Sequence, residues 1–158
     1  MNDEDAVMKK LILIMTLVLF SSAAWSLDEG LARSYSQYFQ PFDGKATSKA
    51  LQFVKAPDFV KAIKSGEKLF VLDIRTPAET GIIAMGVSDK LAVPMNHVFT
   101  PAVLSKIPTD RKVVVVCKAG VRAMAIATAL RHTGFKNVYV LKGGIAGLAQ
   151  YVVPKTVY

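Results

Sequence analysis

Cysteine is almost absent: the chain of 158 residues has one, Cys117, and two histidines. A single cysteine closes no intrachain disulfide, and one Cys with two His falls short of a four-ligand zinc site. Ten glycines and seven prolines are scattered without a period, which excludes a collagen-like or low-complexity chain. Charge is sparse too, at 20% against 52% hydrophobic residues, with a mean hydropathy of +0.34. Intrinsic disorder needs the opposite balance. Acidic residues are the scarcer sign, 12 against 20 basic, for a net charge of +8. The basic residues are dispersed and accompany no nucleic-acid-binding motif, so no nucleic-acid partner is expected. The length suits one ordinary domain.

Much of the hydropathy sits at the N-terminus. Lys9 and Lys10 precede a run without charge over residues 11–27, whose last part holds the small residues Ser22, Ala24 and Ser26. A short basic segment, an apolar core and a small-residue exit make a signal peptide over residues 1–26, cleaved after Ala24 or Ser26. Asp3, Glu4 and Asp5 are wrong for such a leader, and a start at Met8 would place two lysines directly before the apolar run. The alternatives are a membrane anchor over residues 11–27, short of the roughly 20 residues a span needs, and a buried core helix. Export, to a bacterial periplasm, is the favoured expectation, with a membrane partner only if the segment stays uncleaved. Loss of residues 1–26 removes two cations and three anions and raises the net charge by one.

Residues 27–49 read as an aromatic N-terminal extension, with Tyr35, Tyr38, Phe39 and Phe42 before a turn at Asp43-Gly44, laid as a flap on the domain. The domain proper spans residues 50–151 and a C-terminal tail residues 152–158. Strand candidates are residues 51–54, 69–74, 91–93, 113–116 and 138–141. The runs at 69–74 and 113–116 are continuously apolar, as strands buried on both faces are. Helices are expected over 57–64, 100–106, 123–132 and 145–151. Alternating strands and helices predict an α/β fold with a central, mostly parallel sheet flanked by helices. In that architecture ligands bind beyond the carboxyl ends of the strands.

Cys117 follows the buried run at 113–116 and opens the loop Lys118-Ala119-Gly120-Val121-Arg122 before a helix. Backbone N–H groups of such a loop converge on one point. The helix N-terminus adds positive partial charge, and Lys118 and Arg122 add full charges. All favour thiolate over thiol, the condition for a reactive cysteine. Gly120 permits the compact loop. The plainer alternative is a small buried hydrophobe.

The segments Leu72-Asp73-Ile74-Arg75-Thr76-Pro77-Ala78-Glu79, Cys117 to Ala123 and Leu141-Lys142-Gly143-Gly144 together resemble a single-domain rhodanese, over about residues 50–150. The resemblance implies a thiosulfate sulfurtransferase: Cys117 takes the outer sulfur of thiosulfate or a similar small anionic donor, holds it as a persulfide, and passes it to cyanide or a thiol. It implies that residues 118–122 (Lys118, Ala119, Gly120, Val121, Arg122) bind the donor, and that no cofactor or metal is required. Asp73, Arg75, Gly143 and Gly144 are expected to shape the pocket, with Arg75 alternatively pairing a carboxylate such as Glu79. The chain departs from the pattern after Glu79, where Gly81-Ile82-Ile83 lacks a His that commonly follows the Gly, and at Ile145, where an aromatic is common. Neither change is expected to touch the Cys117 loop.

Two other functions fit the loop less well or equally. A Cys-dependent phosphatase or arsenate reductase resembles Cys-x5-Arg, whereas four residues separate Cys117 from Arg122. A non-catalytic persulfide carrier would have the same loop. His97 could approach the pocket but is more simply structural, and His132 suits a helix C-terminus. Intact-mass measurement of the protein recovered from a bacterial host is expected to show a chain beginning at Trp25 or Leu27. A mature chain retaining Met1 or Asn2 would overturn the leader.

Overall fold

The computed structural model of the chain describes residues 27–157, so the leader expected over residues 1–26 lies outside the described residues. Two units are distinguished, Met1–Tyr38 and Phe39–Tyr158. In the first, helix α1 (Glu29–Phe39) starts at Asp28, whose Oδ1 accepts the Leu31 N–H at 2.8 Å. That bond satisfies one of the free donors of a first helical turn. A second helix, α2 (Gly44–Ala50), lies in the other unit, so residues 27–49 are largely helical. Between the two helices the rings of Phe39 and Phe42 meet edge to face, 5.3 Å between centroids.

The second unit is built on five strands: β1 (Phe53–Val54), β2 (Leu69–Asp73), β3 (Lys90–Ala92), β4 (Lys112–Val116) and β5 (Val138–Leu141). Their order is β1-β5-β4-β2-β3, and every neighbouring pair is parallel. The connecting helices are α3 (Ala56–Lys64), α4 (Pro77–Ile82), α5 (Pro101–Leu104), α6 (Val121–His132) and α7 (Gly144–Tyr151), with α8 (Pro154–Val157) in the C-terminal tail. The expected α/β class is the observed one.

Alternation along the central strands divides the core. Leu72, Val113, Val115, Val138 and Val140 pack with Ile126, Ala127 and Leu130 of α6. Val71, Val114, Val116 and Leu141 pack on the opposite face with Phe59 of α3 and Ile145 of α7. Burying both faces explains the continuous apolar runs of β2 and β4, and parallel strands bring the loops after β2 and β4 to one edge.

Local chemistry explains where elements differ from expectation. The first strand is two residues long because Gln52 takes a positive φ of 51°. The helix expected over 100–106 ends at Leu104, where Lys106 and Ile107 N–H groups bond three residues back, to Val103 and Leu104, ahead of Pro108. Such tightening closes a helix whose chain must turn extended before proline. Helix α4 was not anticipated, although Thr76 and Glu79 form the reciprocal capping box that starts it.

The turn from β5 into α7 locks onto the loop after β4. Ile145 N–H donates to the Cys117 carbonyl at 2.9 Å, and Ala146 N–H to that of Lys118 at 3.0 Å. Gly144 makes this possible: its φ is +58°, and a Cβ there would lie 2.3 Å from the Cys117 carbonyl oxygen. Residue 145 thus meets the Cys117 loop through its backbone N–H, a contact that does not depend on its side chain. Gly144→Ala combines left-handed strain with a backbone collision and is expected to cost about 3 kcal/mol in denaturant unfolding. Wild-type stability in that variant would overturn the close approach.

Candidate active site

Cys117 lies one residue beyond β4 and is 1% exposed. Its Sγ accepts the backbone N–H groups of Gly120 at 3.1 Å and Ala123 at 3.4 Å. Ala123 stands in the first turn of α6, where N–H groups have no partner within the helix. Gly120 precedes that turn with φ +95°, bending the loop back over the sulfur. Two peptide dipoles and a helix N-terminus thus face one sulfur, an arrangement that stabilises negative charge there.

Of the loop residues, Lys118, Ala119 and Val121 are exposed, and Gly120 and Arg122 are half-buried. The Arg122 guanidinium is engaged by Glu79 in a two-pronged ion pair, Nη1 to Oε2 at 3.0 Å and Nη2 to Oε1 at 2.5 Å. Glu79 also receives the Thr76 N–H at 2.9 Å and the Thr76 hydroxyl at 3.0 Å. The Arg122 bond, then that from the Thr76 backbone, holds the Glu79 carboxyl at about 2, below its ordinary 4.5. The hydrogen bond to Glu79 in turn raises the Arg122 pKa, and the nearby Cys117 acts in the same direction.

Asp73 and Arg75 are both 3% exposed and pair with each other. Arg75 Nε donates to Asp73 Oδ1 at 2.9 Å and Nη2 to Oδ2 at 2.6 Å, and Arg75 N–H adds a bond of 3.2 Å to Oδ1. Arg75 thus pairs with Asp73, two residues away and equally buried, rather than with Glu79, which belongs to Arg122. Asp73 stands beside Val116 in the parallel register, and Ile74 N–H donates to the Val116 carbonyl at 2.9 Å. The pair therefore braces the strand end next to Cys117. Gly143 and Gly144, both at positive φ, complete that edge through the α7 turn.

The residues missed by sequence reasoning are Glu79 as the Arg122 partner, Thr76 behind it, and Ala123 as a second donor to Sγ. A Thr-Pro-Ala-Glu capping box was the available signal for the first two. His97 is exposed on a short 3-10 turn, Met95–His97, with its Nε2 3.3 Å from the Asn96 amide. His132 ends α6. Among the described residues no cluster of three metal-ligating side chains gathers.

Residues 56–150 match the model of the Rhodanese-like domain family. A sulfurtransferase of Allochromatium vinosum is 39% identical over 89 residues, covering 56% of this chain and 78% of that protein. A probable adenylyltransferase/sulfurtransferase, MoeZ, of Mycobacterium tuberculosis is 29% identical over 124 residues, and the match spans 31% of it. Among solved structures, a rhodanese-like domain protein from Staphylococcus aureus superposes with a TM-score of 0.54 at 18% identity, covering 61% of this chain and 90% of that one. A protein of unknown function from Rhodopseudomonas palustris, described as a possible tyrosine phosphatase, reaches 0.58 at 21% identity, covering 68% of this chain and 86% of that one. At these identities the structural matches show the fold alone.

Because the Glu79 carboxyl is held down in the folded chain, the stability it supplies is present above pH 4.5 and is lost as pH falls through about 2. Glu79→Gln is expected to be less stable at neutral pH and to lose less on acidification across that window. Denaturant unfolding at stepped pH measures this, and an acid limb identical to wild type would overturn the pairing.

Proposed function

The chain belongs to the rhodanese-like domain family, and on that premise we propose that it is a sulfurtransferase working through a Cys117 persulfide. The observation that carries this reading is the Sγ of Cys117, facing two backbone N–H groups at the mouth of a Cys-x4-Arg loop. Family relatives named as sulfurtransferases support the reaction class. Thiosulfate as donor, cyanide or a thiol as acceptor, and the roles of individual residues are our inference from the site.

In the first half-reaction the Cys117 thiolate attacks the outer sulfur of thiosulfate. An S–S bond forms to Cys117, the bond between the two sulfurs of thiosulfate breaks, and sulfite leaves with its electron pair. In the second, cyanide or a thiolate attacks the outer persulfide sulfur, giving thiocyanate or a new persulfide and restoring the Cys117 thiolate. No proton need move when the thiol is already ionised, so the site requires no general base. The Gly120 and Ala123 N–H groups hold the terminal charge before and after transfer, as preorganised donors do in an oxyanion hole. Lys118 attracts the anionic donor. Arg122, held by Glu79, contributes chiefly by fixing the loop and by its field at the sulfur. Asp73, Arg75, Gly143 and Gly144 shape the floor and rim. A covalent intermediate implies ping-pong kinetics.

A tetrahedral phosphoryl group suits a longer loop than four intervening residues, so phosphatase chemistry is disfavoured. The leader-like residues 8–26 support export to the periplasm as part of the same reading.

Cys117→Ser is expected to abolish thiocyanate release from thiosulfate and cyanide. Incubation with thiosulfate alone is expected to add 32 Da to wild-type protein at Cys117 and nothing to the variant. A serine variant with wild-type turnover would falsify the assignment. Labelling without turnover would identify a persulfide carrier instead.

A further inference from the structure

Between α3, α7 and the segment joining α4 to β3 lies a groove of about 550 Å³. Neither Cys117 nor residues 118–122 line it, so it is separate from the site of sulfur chemistry. Its floor is formed by Phe59, Met85 and Ile145, all buried. Its rim is apolar too: Ile63 is 38% exposed, Val152 42% and Ile83 48%. Aliphatic side chains exposed singly are ordinary, but three around one concavity of small-molecule size mark a surface that gains by being covered.

The chemistry of the lining narrows what covers it. Lys64 is its one charged or strongly hydrogen-bonding side chain among the described residues. An extended peptide would leave N–H and C=O groups unanswered there, a cost that an alkyl chain does not incur. The buried floor is reached by a single chain and not by the face of a bilayer. The two ends of the groove differ in charge. Through Ile63, Gly86 and Val87 it opens into a polar cleft with three acids, Glu67, Asp89 and Asp110, against the cations Lys68 and Arg111. Through Val60 and Lys64 it opens into a recess that also holds Lys61 and no acidic side chain among the described residues. Lys61 and Lys64 both stand in the last turn of α3 and are exposed. An anionic head is therefore favoured at the α3 end and disfavoured at the other.

We propose that this groove binds a single-chain anionic amphiphile, of which a long-chain carboxylate is the simplest case. The alkyl chain lies on Phe59, Met85 and Ile145, and the head sits at Lys61 and Lys64. The site stands apart from the sulfurtransferase reading and does not depend on it.

Calorimetric titration of the protein with octanoate, dodecanoate and dodecyltrimethylammonium, each below its micellar concentration, tests this. Dodecanoate is expected to bind saturably, one molecule per chain. Its four extra methylenes over octanoate, about half covered in an open groove, are worth roughly fifteenfold in Kd. Dodecyltrimethylammonium, with the same chain and the opposite head, is expected to bind about tenfold more weakly than dodecanoate. In I63Q/I83Q, at two exposed rim positions, the chain-length effect is expected to fall below about fivefold. In K61Q/K64Q the margin between the two heads is expected to fall below about threefold. No saturable binding of dodecanoate, a chain-length effect undiminished in I63Q/I83Q, or a head preference unchanged in K61Q/K64Q would each overturn the inference. Binding seen only with phosphatidylglycerol vesicles would overturn it in favour of a membrane face. A dimer in sedimentation that I63Q/I83Q dissociates would overturn it in favour of a second copy as the cover. None of these outcomes bears on sulfur transfer.

Discussion

The loop around Cys117 depends on one backbone contact: the first turn of α7 donating its Ile145 and Ala146 N–H groups to the Cys117 and Lys118 carbonyls. In a planar trans peptide the carbonyl and the following N–H point in opposite directions. With both carbonyls drawn toward α7, the N–H groups of Lys118 and Ala119 must face away from it. The turn of the chain at Gly120 then sends the next free N–H groups back to Sγ. Only a residue without a side chain at Gly144 lets the two backbones approach this closely. The reactive sulfur is thus oriented by an element that arrives 27 residues later in the chain, as the Cys117 to Gly144 spacing shows.

Around that contact the structure separates two kinds of charge. The Asp73–Arg75 pair is buried and local, joining residues two apart at the end of β2. Removing either partner would leave a charge without compensation in the interior, a far larger penalty than the pair's own net worth. The Glu79–Arg122 pair is half-exposed and joins α4 to α6 across 43 residues. Exposure limits what such a pair adds to stability, but its geometry decides how much of the arginine remains for a ligand. The same residue type therefore serves as brace in one place and as regulated field in the other.

What could be read in advance follows the range of the interaction concerned. The continuous apolar runs of β2 and β4 announce strands covered on both faces, and Gly120 after Cys117 announces a tight turn into a helix. These are local signals, and the class of fold and the position of the thiol were legible from them. The Arg122 partner was not, because Glu79 is local to Thr76 in sequence and meets Arg122 only when β2 and β4 pair. For Arg75 the sequence reading offered Glu79 as an example of a carboxylate partner, whereas Asp73, two residues back along the extended strand end and so on the same face, is the one that holds it. Helix α1 carries no buried residue that would advertise it as a core-facing stripe. The two-residue β1 was overestimated because Gln52 adopts a left-handed backbone.

The taper of the sheet has a consequence of its own. Its middle strands β2 and β4 are five residues long, whereas the outer strands β1 and β3 are two and three. An outer strand exposes a row of unpaired peptide groups that another polypeptide can zip onto, and a short row offers little to zip. The most hydrophobic segments of this domain, the valine-rich centre of β4 above all, are shielded on both sides by neighbours already hydrogen-bonded. The fold thereby keeps the sequence with the greatest tendency to self-associate furthest from any free margin.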